Sequence, residues 1–316
     1  MKIQFEHISV LTQEMVDFAP EATQTILDCT LGGGGHSRRL LEKFPEARLY
    51  GIDRDALAVK AAAERLDIYE KQTRLSQARF SELPEIFAEW GEPLFDYILA
   101  DIGLSSYQLS CAERGFSFMQ EGPLDMRMDP DRQQITAAEL INNSSEQELI
   151  NILRNFGEER FARKIVGKIL EYRGEGNLET TKELAELVST VIPMRLQKKG
   201  FNPATLTFQA LRIAVNNELG ELEALLNIIP AISNTDGRMA IISFHSLEDR
   251  IVKHQFRKWE NPCVCPTEIP YCICGEISCG RVLTRRPVTA SKKEVTINPR
   301  SRSANLRVFS FEKTIL

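Results

Sequence analysis

The sequence predicts an α/β fold with a mostly parallel sheet, and three features of residues 25–101 support this prediction. Short apolar runs of strand type alternate with segments of helical pattern, which is typical of parallel sheets. Four consecutive glycines, Gly32 to Gly35, follow the first run, and three runs end in an acid, at Asp28, Asp53 and Asp101. Because ligands of open α/β sheets bind at the carboxyl ends of the strands, the pattern also predicts a binding site there.

The first strand ends at Asp28 and leads into the glycine loop, where the missing Cβ atoms allow a sharp turn and a close approach of a ligand. A short helix over residues 37–44 and a second strand over residues 49–52 are expected to follow. Asp53 then lies about twenty residues past the glycines, where a nucleoside-binding unit places a carboxylate for ribose hydroxyls.

The residues around the loop distinguish between nucleoside cofactors. A dinucleotide motif of the form G-x-G-x-x-G requires a glycine where this chain has Ser37, and Asp28 and His36 flank the loop. A carboxylate in this place would repel a pyrophosphate, whereas it suits a cofactor that carries an amino group and a sulfonium. The loop therefore favours S-adenosylmethionine; the alternative is a glycine-rich turn in an unrelated α/β domain.

The next segments extend the same sheet. Residues 56–66 are alanine-rich and predict a helix, and residues 74–80 predict a third strand with Phe80 at its end. Two interpretations of that ring are open, packing on an adenine ring and ordinary core packing. Residues 95–101 predict a fourth strand, which would bring Asp101 to the same edge as Asp28 and Asp53.

The chain then changes character. Residues 113–130 lack regular periodicity and predict a long ordered loop, a type of segment that is usually functional in compact domains. Residues 136–194 have a helical pattern with capping boxes that begin at Ser145 and Thr180. We therefore expect an all-helical insertion at 113–202, between a first part of the sheet domain at 1–112 and a second part at 203–316.

The second part is expected to contain a helix over residues 204–229, a fifth strand over residues 238–244 and strand-like pieces at 281–284 and 306–311. His245 would emerge at the end of the fifth strand, near the crevice. Residues 281–307 carry eight Lys or Arg residues against one Glu. Both a basic hairpin edge that contacts phosphates and a solvated edge guarded by charge against strand pairing fit this composition.

Residues 263–279 contain two C-x-C pairs and a further Cys279; the pairs are Cys263 with Cys265 and Cys272 with Cys274. Four thiolates could close a structural zinc site, although C-x-C is a poorer zinc signature than C-x-x-C. A cluster of reduced cysteines on a loop is the alternative, and no metal is assigned to the predicted reaction.

Length and composition exclude several classes of protein. The 316 residues have 43% hydrophobic and 26% charged side chains, ordinary values for a soluble globular protein. The sequence shows no apolar run long enough to span a membrane and no signal-peptide pattern, so we expect a cytoplasmic protein. The net charge of −5 argues against a nonspecific nucleic-acid coat but allows a local basic patch.

The motifs together resemble the bacterial family that methylates a cytidine of small-subunit ribosomal RNA on its exocyclic N4. The motifs that carry the resemblance run in order from His7 to Val308: HISVL, DCTLGGGGHS, GIDRD, ADIGLSSYQL, ERGFSF, PLDMRMDP, GEERFARKI, TFQALRIAVNNEL, ISFHSLEDRIVK and NPRSRSANLRV. The resemblance implies a class I, S-adenosylmethionine-dependent methyltransferase with a Rossmann-like, mostly parallel sheet. It also implies that the helical insertion recognises RNA.

The resemblance further implies which residues contact the cofactor: Gly34, Gly35, His36, Asp53, Phe80, Asp101 and Gln108. Gln108 follows from the resemblance alone. The implied substrate is a decoding-region cytidine of small-subunit ribosomal RNA, within the assembled or nearly assembled subunit, and no membrane partner is implied. The chain departs from the family pattern at Tyr107, where the family often has Pro, and the cysteine pairs occur in only some members.

A cytosine amino group is a poor nucleophile because its lone pair is delocalised into the ring. We expect Asp101 or Ser105 to accept a hydrogen bond from it, and Phe116 and Phe118 to offer stacking surfaces to an unstacked base. Two other functions are open: a ribosome-assembly factor that binds cofactor and RNA with catalysis secondary, and a methyltransferase for a small molecule or a protein.

Overall fold

The computed structural model describes residues 9–194, 202–266 and 271–312. His7, which belongs to one of the motifs, lies outside this part of the chain. The chain forms two compact units, the first of residues 1–103 and 221–316 and the second of residues 104–220. The second unit is therefore longer at both ends than the expected insertion at 113–202.

The first unit contains the sheet. Its strands are β1 (Thr25–Asp28), β2 (Arg48–Asp53), β3 (Thr73–Gln77), β4 (Phe95–Asp101), β5 (Ser233–Ser243), β6 (Gly280–Val282), β7 (Val288–Thr289) and β8 (Asn305–Phe311). The order is β3-β2-β1-β4-β5-β8-β6, with β7 paired to β8. The five strands from β3 to β5 in this order are parallel, and β8 is antiparallel to β5. The predicted mostly parallel sheet is confirmed.

The helices of the described chain are α1 (Thr12–Asp17), α2 (Gly35–Lys43), α3 (Ala56–Arg65), α4 (Leu83–Glu89), α5 (Ser106–Ser110), α6 (Ala137–Asn143), α7 (Glu146–Gly157), α8 (Ala162–Arg173), α9 (Thr181–Val191), α10 (Thr205–Asn216), α11 (Glu218–Ile232), α12 (Ser246–Glu260) and α13 (Lys292–Ile297). None of them is long and apolar enough to cross a membrane.

Both faces of the sheet are covered, because alternate side chains of the central strands point into different cores. On β5, Met239 and Ile241 join a cluster with apolar residues of α11 and α12, whereas Ala240 and Ile242 join a cluster with α1 and α2. Such two-sided burial explains why the central strands read as continuous apolar runs in the sequence. It also fixes the carboxyl ends of the strands along one rigid edge.

The second unit is built from helices around its own core. The capping boxes predicted at Ser145 and Thr180 begin α7 and α9. The side chain of Asn216, in α10, forms hydrogen bonds to the irregular segment 111–136. The Asn216 side chain accepts the N–H of Met128 at 2.8 Å and donates to the carbonyl of Met126 at 2.7 Å. The loop predicted at 113–130, which lies within this segment, is therefore ordered.

The expectation that Phe116 offers a stacking surface is wrong, because its ring is only 6% exposed and packs in the helical core. The Arg114 guanidinium lies 5.9 Å from the centroid of that ring. Phe118 is half-buried and packs edge-on against Phe208, with ring centroids 5.1 Å apart.

Three other sequence predictions differ from the structure. The helix expected over 204–229 is two helices, because Asn217 adopts a left-handed conformation with φ of 49° between α10 and α11. β3 ends at Gln77, so Phe80 begins a short 3₁₀ turn instead of ending the strand. Of the two strands of the expected basic hairpin, β6 is an edge strand as expected, whereas β8 is not, since it lies between β5 and β6.

The burial of Arg307 follows from this interior position of β8. Its guanidinium forms two hydrogen bonds to the Asp249 carboxylate, at 2.6 and 2.9 Å, and the residue is 6% exposed. Arg307 is therefore a structural cation and not a surface contact for phosphates.

Candidate active site

The candidate site lies at the carboxyl edge of the sheet, where the strand order reverses direction. The chain moves from β1 outward to β2 and β3 and then returns to β4 on the other side of β1. Such a switch point is where open α/β sheets bind ligands. Asp28, Asp53 and Asp101 end β1, β2 and β4, so the sequence prediction that these acids share one edge is confirmed.

The glycine loop crosses the switch point between β1 and α2. Gly34 has φ of 72° and caps the first turn of α2, a conformation that L-residues rarely adopt. The N–H of Gly32 donates to Asp53 Oδ2 at 2.8 Å, which fixes the loop to the end of β2. The loop and the second acid are thus one structural feature, although they are 21 residues apart in the sequence.

A network of polar side chains surrounds the start of α2. Asp28 is 1% exposed and accepts hydrogen bonds from the hydroxyl of Ser37 at 2.5 Å and the N–H of Thr30 at 3.0 Å. His36 Nε2 lies 3.4 Å from Asp101 Oδ2. The N–H of Asp101 donates to Thr30 Oγ1 at 2.6 Å, so the ends of β1 and β4 are joined directly.

The buried position changes the acidity of these groups. Burial is the largest effect on Asp28 and raises the pKa of its carboxyl group. Burial by itself lowers the pKa of His36, but the hydrogen bond and charge of Asp101 and the charge of Asp28 raise it above its ordinary value. The arrangement favours a His36 that carries a proton facing a carboxylate.

Asp53 is the third perturbed group. Burial raises the pKa of its carboxyl group to about 6, although the N–H groups of Asp55 and Gly32 donate to it and oppose this shift. The distances of these two bonds are 2.9 and 2.8 Å. Each carboxylate oxygen has a second lone pair, so Asp53 retains capacity to accept hydrogen bonds from ribose hydroxyls.

Buried polar atoms without partners indicate that the edge is built for a ligand. His36 Nδ1 and Asp101 Oδ1 are inaccessible to solvent and form no hydrogen bond within the described part of the chain. Leaving such atoms unpaired costs about 1–3 kcal/mol each, so a ligand that pairs with them gains affinity. An amino acid moiety fits this pair, because its ammonium group can donate to Asp101 Oδ1 and its carboxylate can accept the N–H of a protonated His36.

In the structure, each of the remaining predicted site residues packs in a core or caps a helix. Phe80 is half-buried and packs against the core of the sheet unit. Ser105 and Gln108 belong to the second unit, where they form the capping box of α5: Ser105 Oγ accepts the N–H of Gln108, and Gln108 Oε1 accepts the N–H of Ser105. His245 caps α12 and lies 3.0 Å from Glu248 Oε1, which gives it a structural role.

Sequence reasoning missed Thr30, the role of Ser37 and Glu294. For Thr30 and Ser37, the only signal in the sequence is a short hydroxyl residue that follows a strand ending in an acid. Glu294 Oε1 accepts the N–H of Leu11 at 2.8 Å, and its charge is among those that raise the pKa of His36. Nothing in the sequence connects Glu294 with His36, because 258 positions separate them.

The sheet has the strand order of a class I methyltransferase, with one antiparallel interior strand. It also has the glycine loop after β1 and the acids at the ends of β1, β2 and β4 that this class uses. The sequence profile of the MraW methylase family matches residues 4–312, nearly the whole chain. The chain therefore belongs to the MraW methylase family, and its cofactor is S-adenosylmethionine.

Full-length relatives support the same assignment. The chain is 48% identical over 306 residues to the ribosomal RNA small subunit methyltransferase H of Trichlorobacter lovleyi, covering 96% of this chain and 97% of the relative. It is 46% identical over 308 residues to the Clostridium botulinum protein of the same name, covering 97% and 99%. The Symbiobacterium thermophilum protein of that name is 44% identical over 305 residues, with 96% of each chain covered.

The geometry of the loop makes Gly34→Ala an informative change. An added Cβ would lie 3.2 Å from the backbone Cα of Ala62, and the positive φ would cost about 1–2 kcal/mol. We expect a comparable loss of unfolding free energy, together with weaker binding of S-adenosylmethionine because the start of α2 must shift. Thermal unfolding and calorimetric binding measure the two effects.

Gly91→Ala is the matched control. Gly91 has φ of 82°, but an added Cβ there meets no atom within 4 Å. This variant should lose similar stability and bind the cofactor as the parent protein does. Equal cofactor affinity in both variants would contradict the role assigned to the geometry of Gly34.

Proposed function

We propose that this protein transfers a methyl group from S-adenosylmethionine to the exocyclic N4 amine of a decoding-region cytidine in small-subunit ribosomal RNA. The observation that carries the proposal is the solvent-inaccessible, unpartnered Asp101 Oδ1 at the switch point of a methylase sheet. The names of the relatives support small-subunit ribosomal RNA as the substrate. The cytosine N4 position rests on the resemblance of the motifs.

The cofactor would be held by residues of the glycine loop and the strand ends. Gly34 and Gly35 allow close approach of the backbone, Asp53 accepts from ribose hydroxyls, and Phe80 packs near the base. Asp101 and His36 lie where the amino acid end would be bound, and Gln108 is assigned by resemblance. The cofactor supplies an electrophilic methyl group on a sulfonium.

The chain must direct the amine toward that methyl group. An acceptor that hydrogen-bonds to the amino group turns its lone pair out of conjugation and stabilises the positive charge that develops on nitrogen. Asp101 is our first choice of acceptor because one of its oxygens is buried without a partner and has two lone pairs, one for the ammonium group of the cofactor and one for the target amine. Ser105 is the second choice: its hydroxyl caps α5 but retains another lone pair.

The basic C-terminal segment, residues 285–302, lies at the carboxyl ends of the strands, where the strand-end acids also lie. Ser243, at the carboxyl end of β5, pairs with Asn305, the first residue of β8. The residues just before β8 are therefore at the carboxyl edge, and the charge of Glu294 in α13 acts on His36 at this edge. Six exposed cations lie on this segment: Arg285, Arg286, Lys292, Lys293, Arg300 and Arg302. This cation-rich segment supports a polyanionic substrate.

The double change of Arg300 and Arg302 to Glu is expected to weaken binding to small ribosomal subunits and to lower the slope of log affinity against log salt by about 2. The physical reason is the loss of about one phosphate contact for each cation removed. The affinity for S-adenosylmethionine should not change. Filter binding across a salt series measures the first effect, and calorimetry the second.

Lys71→Glu is the control for this charge reversal. Lys71 is exposed and precedes β3, so it lies at the opposite edge of the sheet. The control should retain the parent slope. An unchanged slope in the double variant would remove the basic segment from the RNA interface.

The direct test is transfer of tritium from labelled S-adenosylmethionine to small subunits and to naked ribosomal RNA, both from a strain that lacks the enzyme. Nuclease digestion then locates the label. Label on N4 of one decoding-region cytidine is the expected result. Intact cofactor binding without transfer to either substrate would contradict the proposal and favour an assembly factor in which catalysis is secondary.

A further inference from the structure

The two C-x-C pairs come together in the structure, on the loop between α12 and β6. The Sγ atoms of Cys263, Cys265, Cys272 and Cys274 all lie within 4.8 Å of one another. Four of the separations are short: 3.5 Å between Cys263 and Cys272, 3.9 Å between Cys265 and Cys272, 3.3 Å between Cys272 and Cys274, and 3.9 Å between Cys263 and Cys274. All four cysteines are free thiols.

These separations match the edges of a metal tetrahedron. A Zn²⁺ ion binds thiolate sulfur at about 2.3 Å, and four such sulfurs at the corners of a tetrahedron are about 3.8 Å apart. A disulfide requires about 2.05 Å between sulfurs, far shorter than any of the observed distances. This spacing suits four ligands of one ion and does not suit two disulfides.

Hydrophobic burial does not explain why the four thiols meet. The described part of the loop contains no helix or strand, and its apolar side chains are exposed: Val264 by 74%, Tyr271 by 72%, Ile273 by 66% and Ile277 by 54%. The base of the loop is closed, since the N–H of Cys279 donates to the carbonyl of Trp259 at 3.1 Å. Beyond that base, the four thiols contact one another.

Backbone N–H groups point at the sulfurs, as they do around bound metal thiolates. The N–H of Ile273 donates to Cys265 Sγ at 3.3 Å. The N–H groups of Glu276 and Val264 donate to the sulfur of Cys274. Gly275 has φ of 70°, which turns the chain so that the donor of Glu276 faces the sulfur of Cys274. The middle residue of each C-x-C pair thus donates to the second cysteine of the other pair.

We propose that Cys263, Cys265, Cys272 and Cys274 form a structural Zn²⁺ site that folds the loop between α12 and β6. Four protein ligands leave no coordination position for water or substrate, so the ion does not take part in methyl transfer. Zinc is the choice because tetrahedral sites of four thiolates favour it and because its binding involves no redox change. Binding energy of the ion replaces the hydrophobic core that the loop lacks.

The test measures metal content in the full-length protein. Protein produced in zinc-supplemented medium and purified without chelator is expected to contain about one zinc ion per chain by plasma mass spectrometry. Titration with a mercurial reagent should release that zinc from the unaltered protein as the thiols react. Less than a tenth of an equivalent of zinc, with the thiols shown to be reduced, would overturn the proposal, and so would a full equivalent of iron instead.

Matched cysteine variants locate the ion. The double change of Cys263 and Cys272 to Ser should lose the zinc, whereas Cys279→Ala and Cys111→Ser should retain a full equivalent, because neither residue belongs to the cluster. Retention of zinc by the double variant would place the ion elsewhere and overturn the assignment.

A second measurement does not depend on the variants. Chymotrypsin cleaves after aromatic residues, and Tyr271 lies between the two pairs with an exposed side chain. The zinc-loaded protein should resist cleavage at Tyr271, and removal of zinc should make this the first site cut. Equal cleavage rates for the two forms would contradict a role for the ion in folding the loop.

Discussion

The change Asp101→Asn is expected to lower the rate constant for methyl transfer by about 10²–10³-fold, the loss typical of removing one group that stabilises charge in a transition state. The substitution keeps the shape of the side chain but replaces a charged acceptor by a neutral amide. One carboxylate oxygen of Asp101 is buried without a partner, and the other faces His36 at 3.4 Å. Single-turnover transfer of labelled methyl to small subunits measures the effect.

Asp96→Asn is the matched control on the same strand. Asp96 lies near the opposite end of β4 and accepts the N–H groups of Gln24 and Thr25, each at 2.9 Å. This variant should lose about 1–3 kcal/mol of unfolding free energy through an unpaired donor. Its transfer rate in the folded protein should remain that of the parent. A parent-like transfer rate for Asp101→Asn would contradict the assignment of Asp101 as acceptor and would favour Ser105.

The affinity for S-adenosylmethionine is expected to fall below pH 6, by about tenfold for each unit of pH. The cause is Asp53, whose pKa is raised by burial to about 6. Above this pH the carboxylate is ionised and accepts hydroxyl donors strongly, whereas below it the bound proton must be removed before the nucleoside binds. Calorimetric titration between pH 5 and pH 8 measures the dependence.

Protonation of Asp53 has the opposite effect on folding, because it stabilises the folded protein. Because the pKa of Asp53 in the folded protein is higher than its ordinary value of 3.8, the folded state binds the proton more tightly than the unfolded chain does. The stabilising contribution of Asp53 is therefore fully present below pH 3.8 and is lost as the pH rises through about 6. If the protein binds the cofactor more weakly at pH 5, titration of Asp53 has therefore not caused this by unfolding the protein.

Asp53→Asn separates this effect from the other buried groups, since Asp28 and His36 also have raised pKa values. The variant should bind the cofactor weakly at every pH, without the inflection near pH 6. A variant that keeps the inflection of the parent protein would assign the titration to another group of the edge.

The sequence predicted most of the sheet because each strand has a local signature. A run such as Phe95 to Asp101 is apolar since both of its faces are buried, and the structure has β4 over those residues. The break at Asn217 and the turn at Phe80 were missed, because a single residue that adopts a left-handed conformation or begins a 3₁₀ turn changes little in the apolar pattern. Such local backbone choices are decided by hydrogen bonds and not by periodicity.

By itself, the sequence determined the methylase sheet, its glycine loop and the three acids at one edge, since strand polarity and burial follow from short-range patterns. The tertiary structure alone decided which charges meet. It paired Arg307 with Asp249 and brought Glu294 near His36. These contacts join distant segments whose distances are fixed by packing of the whole unit, so no local pattern records them.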